Sequence, residues 1–271
     1  MTKRTVAIGL VLAALTRTAS AQTSTPQPSP EDPRANPGRP TISAPATLTP
    51  VGYLQLENGV LFGRLTHGGS SLTALSQVTK LAVTSRLQLI GQFAPAAWST
   101  NVGPSATSAY VGGISAGAQA LVVPGRGPKP SVAVGFFQTA FAGSAPDLDI
   151  GSARQSVLAL FSADLGAFHV DTNAVFNDQL DDSRKLQYGQ TLSIAHPLGP
   201  TTVVGEFWHF TQPFIGRQAA GMLWALSYAT SPHLVLDVGF NKGLTDTSTP
   251  WEGFGGFTYL VPHRLWATRH P

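Results

Sequence analysis

The sequence predicts an all-β protein: a transmembrane antiparallel up-and-down β-barrel of about 12 strands, preceded by a disordered Pro-rich N-terminal segment. Three observations carry this expectation. From Tyr53 to Leu260 the chain repeats segments in which apolar residues alternate with small or polar ones; in Leu234–Asn241, Leu234, Leu236, Val238 and Phe240 fall on one face and Asp237, Gly239 and Asn241 on the other. Side chains of a strand point to opposite faces at period two, and in an outer-membrane barrel the apolar face meets lipid while the polar face lines the lumen. The connectors between these segments are by turns short and long, as between periplasmic turns and extracellular loops. Finally, only 11% of residues are charged against 42% hydrophobic, with 28 glycines, where about a quarter charged is usual for a soluble domain.

The elements follow in chain order. Lys3 and Arg4 precede an apolar run from Val6 to Leu15, and Ala19-Ser20-Ala21 supplies small residues for cleavage, so residues 1–21 read as a secretory signal peptide. The run is too short to span a bilayer as a helix, and no run of about 18 apolar residues follows it. The chain has no cysteine, which excludes disulfides, thiolate metal sites and a lipid anchor at the cleavage point. Of 17 basic residues, Lys3, Arg4 and Arg17 belong to the signal, leaving 14 against 14 acidic ones; this near-neutral balance gives no nucleic-acid surface.

Residues 22–50 are rich in Pro, Ser, Thr and Ala, with prolines at 26, 28, 30, 33, 37, 40, 45 and 50, and cannot build a ladder or a helix. They read by default as a periplasmic linker. The alternative is that Arg39–Pro50 enters the barrel as a partial plug.

The barrel itself is expected over residues 51–262, with a C-terminal tail at 263–271. Strands are predicted at Gly52–Gly63, Leu72–Val83, Leu87–Ala97, Ser108–Val123, Ser131–Ala142, Ala153–Leu165, Ala167–Asn177, Arg184–Ala195, Thr202–Gln212, Gln218–Ala229, His233–Lys242 and Trp251–Val261. Thr84–Arg86, Leu165-Gly166, His196–Thr201 and Thr230–Pro232 form tight connectors, and Pro124–Pro130 a slightly longer Gly/Pro turn. The longer, more polar connectors are Arg64–Ser71, Pro95–Thr107, Gly143–Ser152, Asp178–Ser183, Pro213–Arg217 and Gly243–Pro250. An even strand number places both ends in the periplasm. Tyr53, Phe93, Trp98, Tyr110, Phe141, Phe176, Trp208, Phe210, Phe214, Trp251, Tyr259 and Trp266 lie near predicted strand ends, where interface girdles sit. Phe136, Phe137, Phe161, Phe207 and Trp224 are mid-strand and fit a lipid-facing band or a tight lumen equally well.

Charges at mid-strand are the candidate site. Glu57, Lys80, Asp171, Glu206 and Asp237, with Arg154 and Lys185 as further members, would cost about 2–4 kcal/mol on the lipid face if basic, so they are expected to line the lumen and contact a permeant. There they either pair into a network that fills and rigidifies the lumen or form a constriction selecting permeants by sign and size.

Catalysis is not expected. An outer-membrane hydrolase needs a hydroxyl activated by imidazole, and His67, His169, His196, His209 and His233 show no His–Ser spacing beside a mid-strand acid or amide; His196 and His233 fall at predicted turns and are expected to be exposed. Asp178, Asp181 and Asp182 lack the spacing of a calcium loop. Gly112-Gly113 and Gly253–Gly256 lie within strands with no helix to follow, so they bind no phosphate. No metal and no cofactor are implied.

A resemblance enters at both ends of the barrel. Arg39-Pro40-Thr41-Ile42-Ser43-Ala44-Pro45, followed by Gly52-Tyr53-Leu54-Gln55-Leu56-Glu57-Asn58-Gly59, resembles the opening of the meta-pathway phenol-degradation transporter family of the outer membrane, where an "RP…SP" stretch leads into "G-x-x-Q-x-E-x-G". The segments Asp237-Val238-Gly239 to Gly243-Leu244-Thr245 and Pro250-Trp251 to Tyr259 are similar to that family's last hairpin. Ser43-Ala44 departs from the pattern, where an acidic residue or a second Ser is common. The resemblance implies a barrel for uptake of aromatic or hydrophobic compounds.

The expected function is therefore an outer-membrane channel or passive transporter for small hydrophobic or aromatic molecules. Its expected partners are outer-membrane lipid, the barrel assembly machinery during biogenesis, and a small-molecule permeant. The alternative is a structural or surface-interaction barrel without transport.

Overall fold

The computed structural model describes residues 33–64, 71–100, 107–144, 153–179, 186–212 and 217–266. The signal peptide, His67, Asp181, Asp182 and Lys185 lie outside them. The strands are β1 Leu54–Arg64, β2 Ser71–Ala82, β3 Leu87–Phe93, β4 Ala97–Thr100, β5 Thr107–Tyr110, β6 Ile114–Val123, β7 Ser131–Phe141, β8 Ala153–Leu165, β9 Phe168–Gln179, β10 Leu186–Leu198, β11 Thr201–Gln212, β12 Arg217–Ser231, β13 Leu234–Gly243 and β14 Trp251–Leu260. Each pairs antiparallel with its neighbour, and β1 pairs with both β2 and β14, from Gln55↔Leu260 to Gly63↔Glu252, which closes the sheet. β3 and β4 both lie along β2, and β5 and β6 follow them, so the fourteen segments make a closed barrel of twelve staves.

Two expectations about boundaries are corrected. Pro95–Thr107 is not one loop: the chain kinks at Ala94–Ala96, resumes as β4, and kinks again at 111–113 before β6. Pro95 lacks the N–H a ladder needs, and the backbone is instead held by Leu75 N donating to Ala96 O and Gly112 N to Ala94 O. Nor is His196–Thr201 a turn. β10 continues to Leu198 and only Gly199-Pro200 turns, with Gly199 at φ +64°, a left-handed conformation that glycine adopts without penalty. His196 is thus in a strand, its ring 5.0 Å from that of Phe168 and its Nδ1 2.9 Å from Ala167 O.

Burial follows strand parity. In β11, Val204, Glu206, Trp208 and Phe210 are buried while Val203 and Phe207 are exposed; in β12, Leu223 and Ala225 are buried while Met222, Trp224, Leu226 and Tyr228 are exposed. The exposed set, which also includes Phe62, Val134, Phe136, Phe161, Leu192, Val238 and Phe240, wraps the outside of the barrel. Water would not tolerate so continuous an apolar surface; a bilayer requires it. Of the five ambiguous mid-strand aromatics, Phe136, Phe161, Phe207 and Trp224 face outward, and Phe137, on the parity of buried Ser131 and Ala133, faces inward.

Candidate functional site

Residues 36–50 lie inside the barrel, toward the end that carries the short turns, and follow the inner wall as a strap. Fifteen residues reach at most about 50 Å, and the strap uses that reach to pass from one stave to the next. Asn36 N donates to Gln55 Oε1 (2.8 Å) and Gly38 N to Glu57 Oε1 (3.0 Å) on β1. Arg39 reaches Asp237 on β13, and Ile42 N and Ser43 N donate to the two oxygens of Glu206 on β11 (2.8 and 2.6 Å). Ser43 Oγ lies 2.8 Å from Thr191 Oγ1 on β10, which donates to it while the Ser43 proton goes to Glu206. Asn173 on β9 accepts from Ala44 N and donates to Ala44 O (2.6 and 2.9 Å). Ala46 N donates to Ser162 Oγ on β8, Gln119 Nε2 on β6 donates to Pro45 O and Ala46 O, and Thr49 N donates to Gln88 Oε1 on β3.

A segment with so many prolines cannot satisfy its amides by pairing with itself. Inside a barrel each unpaired amide would cost about 1–3 kcal/mol, and the polar lumen face supplies the acceptors.

All five charged residues singled out from the sequence point into this interior. Glu57 is ion-paired with Lys80 at 2.5 Å and accepts from Gln55 Nε2 at 2.8 Å. Asp237 takes Arg39 in a fork, from Nε at 3.2 Å and NH2 at 3.0 Å. Glu206 holds the strap as described. Asp171 accepts from Ser162 Oγ and lies 3.3 Å from His169 Nε2, whose Nδ1 is 2.7 Å from Asp164. Arg154, named as a further member, is exposed near the far end of β8. The remaining histidines have other partners: His209 Nε2 lies 2.8 Å from Gln218 Oε1, and His233 sits in the β12–β13 turn.

The Arg39 slot is cut for a guanidinium. Gly59 and Gly256 face each other across β1 and β14, and a Cβ on Gly59 would come within 2.2 Å of Arg39 NH1, one on Gly256 within 2.8 Å of Nε. A larger residue at Gly59 would collide with the guanidinium, and one at Gly256 would first collide with the Asn58 carbonyl at 2.3 Å. Residues from both ends of the chain, Arg39, Gln55, Glu57, Gly59 and Asp237, thereby meet at one place.

The uncharged members of this ring were not singled out from the sequence. Gln88, Gln119, Ser162, Asn173 and Thr191 carry no charge to mark them, although Asn173 shares the parity of Asp171 and so was open to the same argument.

Above the strap the lumen is asymmetric. On one flank Trp208 and Phe210 are buried with Ala219, Ile42 and Val175. They fit because Gly221 and Gly189 lie beside them: a Cβ would stand 2.4 Å from Trp208 Cζ2 and 2.1 Å from Phe210 Cε1. Trp208 Nε1 donates to Asn241 Oδ1 (2.8 Å) and Asn241 Nδ2 to Glu252 Oε2 (2.9 Å), so the buried indole and amide on that flank have partners. The opposite flank, at the kinks of β3 and β6, holds an open recess of about 340 Å³. Its lining includes Ser76, Val78, Gln92, Phe93, Ser115 and Thr139, and contains no charged residue. Arg39 NH1, 3.5 Å from Ser76 Oγ, stands at its edge.

Comparison with solved structures agrees with this architecture. The chain is similar to an outer-membrane channel of Pseudomonas putida F1, at 15% identity over 83% of this chain and 99% of that one, with a TM-score of 0.58. The fold is that of an outer-membrane β-barrel. More distant likenesses are to an anion-selective porin of Comamonas acidovorans (9% identity, 77% of this chain and 98% of that one, TM-score 0.40) and to Omp33 of Acinetobacter baumannii (11%, 77% and 98%, 0.37). No protein-family model matches the chain, and no curated protein matches it.

Proposed function

We propose that this barrel is a channel for small, uncharged hydrophobic or aromatic molecules, with no enzymatic role, and that the permeant travels along the β2–β3–β6–β7 flank. The observation that carries this reading is the asymmetry of the interior. One flank is occupied by the buried rings of Trp208 and Phe210, and the other keeps an open recess of about 340 Å³ with hydroxyl, amide and apolar lining. A dry cavity of about 150 Å³ suffices for benzene, so one substituted ring fits.

A bare ion would find little to replace its hydration shell there, because the lumen charges are already engaged: Lys80 with Glu57, Arg39 with Asp237, and Glu206 with the strap. In this reading Glu57, Lys80, Asp171, Glu206 and Asp237 set the constriction by holding the strap, and a permeant meets them as it passes the ring. The resemblance of Arg39–Gly59 and of the last hairpin to phenol-degradation transporters supports the same substrate class. Insertion by the barrel assembly machinery belongs to the same proposal.

One observation favours a structural barrel without transport: the same charges, paired and buried, rigidify the lumen. Influx of a neutral aromatic tracer into liposomes carrying the full chain separates the two. Uptake above that of empty liposomes supports the channel, and equal uptake supports the structural barrel.

A further inference from the structure

The turn between β6 and β7 carries an uncompensated pair of cations. Arg126 and Lys129 are antiparallel bridge partners, joined by Arg126 N donating to Lys129 O (3.0 Å) and Lys129 N to Arg126 O (3.3 Å), with Gly127 between them at φ +58°. Like charges directly opposite one another destabilise a β pair, yet neither forms an ion pair among the described residues, and both are exposed. Asp164, whose backbone N donates to Gly127 O, carries a carboxylate that is engaged with His169 at 2.7 Å.

The adjoining β2–β3 turn adds a third cation. Arg86 is exposed and its NH1 donates to Leu121 O and Val122 O at 3.3 and 3.0 Å, which ties it to the β6 edge next to the Arg126 turn. Directly above these residues, toward the middle of the wall, Leu87, Leu89, Val122, Val123 and Val134 are exposed on the outer face. Three cations therefore sit where the apolar belt ends on the periplasmic side, which is the depth of the inner-leaflet headgroups.

We propose that Arg86, Arg126 and Lys129 form a docking surface for an anionic phospholipid of the inner leaflet, its phosphodiester lying against the Arg126–Lys129 pair and its acyl chains along the Leu87, Leu89 and Val122 face. Each basic residue near an anionic lipid surface is worth roughly a fivefold gain in binding, and the effect is screened by salt. The bound lipid relieves the repulsion built into the turn and fixes which sector of the barrel wall meets anionic lipid.

The test is native mass spectrometry of the full chain in detergent, titrated with phosphatidylglycerol or with phosphatidylcholine. The intact chain binds phosphatidylglycerol in preference, and R126Q/K129Q weakens that binding roughly 25-fold; R217Q, at the opposite rim, leaves it unchanged. Phosphatidylcholine taken up as readily, a double variant that binds like the intact chain, or displacement of the lipid by an equal concentration of inorganic phosphate overturns the proposal. Heat-modifiable gel migration verifies that the variants fold, and if the double variant does not, R126Q and K129Q singly each give roughly a fivefold loss or refute it.

Discussion

Arg39 and Asp237 stand 198 residues apart in sequence and meet inside the barrel, where the guanidinium Nε and NH2 donate to the two carboxylate oxygens at 3.2 and 3.0 Å. The contact joins the strap to the penultimate stave, and it exists only because Gly59 and Gly256 leave the guanidinium room. A buried carboxylate left without its partner is destabilising, whereas removing both charges together is not. Arg39→Gln and Asp237→Asn should therefore each lower stability. Their double variant should lose less than the two combined, with a coupling of roughly 0.5–3 kcal/mol. Urea unfolding in detergent micelles measures all four corners of that cycle, and strict additivity would remove the latch from this account.

Glu206 holds two successive strap amides and the Ser43 hydroxyl at once. Glu206→Gln keeps the shape but offers only one acceptor oxygen and turns an N–H₂ donor toward strap donors. The strap amides from Ile42 to Ala46 should lose protection while the barrel strands keep theirs. Hydrogen exchange read by mass spectrometry on peptides covering 39–50 checks this, and unchanged protection of that peptide would be the contrary result.

The flank that holds the buried rings depends on two glycines. Gly221→Ala would press on Trp208 and Gly189→Ala on Phe210, and overpacking of this kind costs about 1–3 kcal/mol. Both variants should unfold at lower urea concentration than the parent, whereas Gly253→Ala, at a position with nothing within 4 Å of the added Cβ, should be close to neutral.

The open flank makes the opposite prediction. Ser115→Phe places a ring in the recess beside Gln92, to which Ser115 Oγ donates at 3.1 Å. Uptake of a neutral aromatic tracer should fall several-fold in liposomes, with heat-modifiable migration unchanged. Retention of full uptake would show that the permeant travels elsewhere.

The wall is legible in the sequence, whereas an internal course for Arg39–Pro50 is there only as the alternative to a periplasmic linker. Period-two alternation fixes which residues face lipid, and the cost of a lipid-facing charge alone assigns Glu57, Lys80, Asp171, Glu206 and Asp237 to the interior. The course of residues 36–50 follows no such rule: Ile42, Ser43 and Ala44 are placed by Glu206 and Asn173, more than 120 positions away. The kink at Ala94–Ala96 was hidden for a related reason. Pro95 signals a break, but only the bonds from Leu75 and Gly112 reveal that the stave resumes beyond it. Trp208 and Phe210 lie near a strand end, where girdle residues are expected, yet they share the inward parity of Glu206, and Gly221 and Gly189 on the flanking strands leave their rings room in the lumen.

The claim that the permeant passes beside a resident strap has one direct test. The chain contains no cysteine, and Ser43 Oγ lies 2.8 Å from Thr191 Oγ1, so S43C/T191C introduces two thiols in position to lock the strap to β10. Liposome uptake of a neutral aromatic tracer is measured with this variant oxidised and reduced. The account predicts equal uptake in both states, because the strap stays in place while the permeant moves along the opposite flank. Uptake that ceases on oxidation and returns on reduction would contradict it, since the strap would then have to leave for anything to pass.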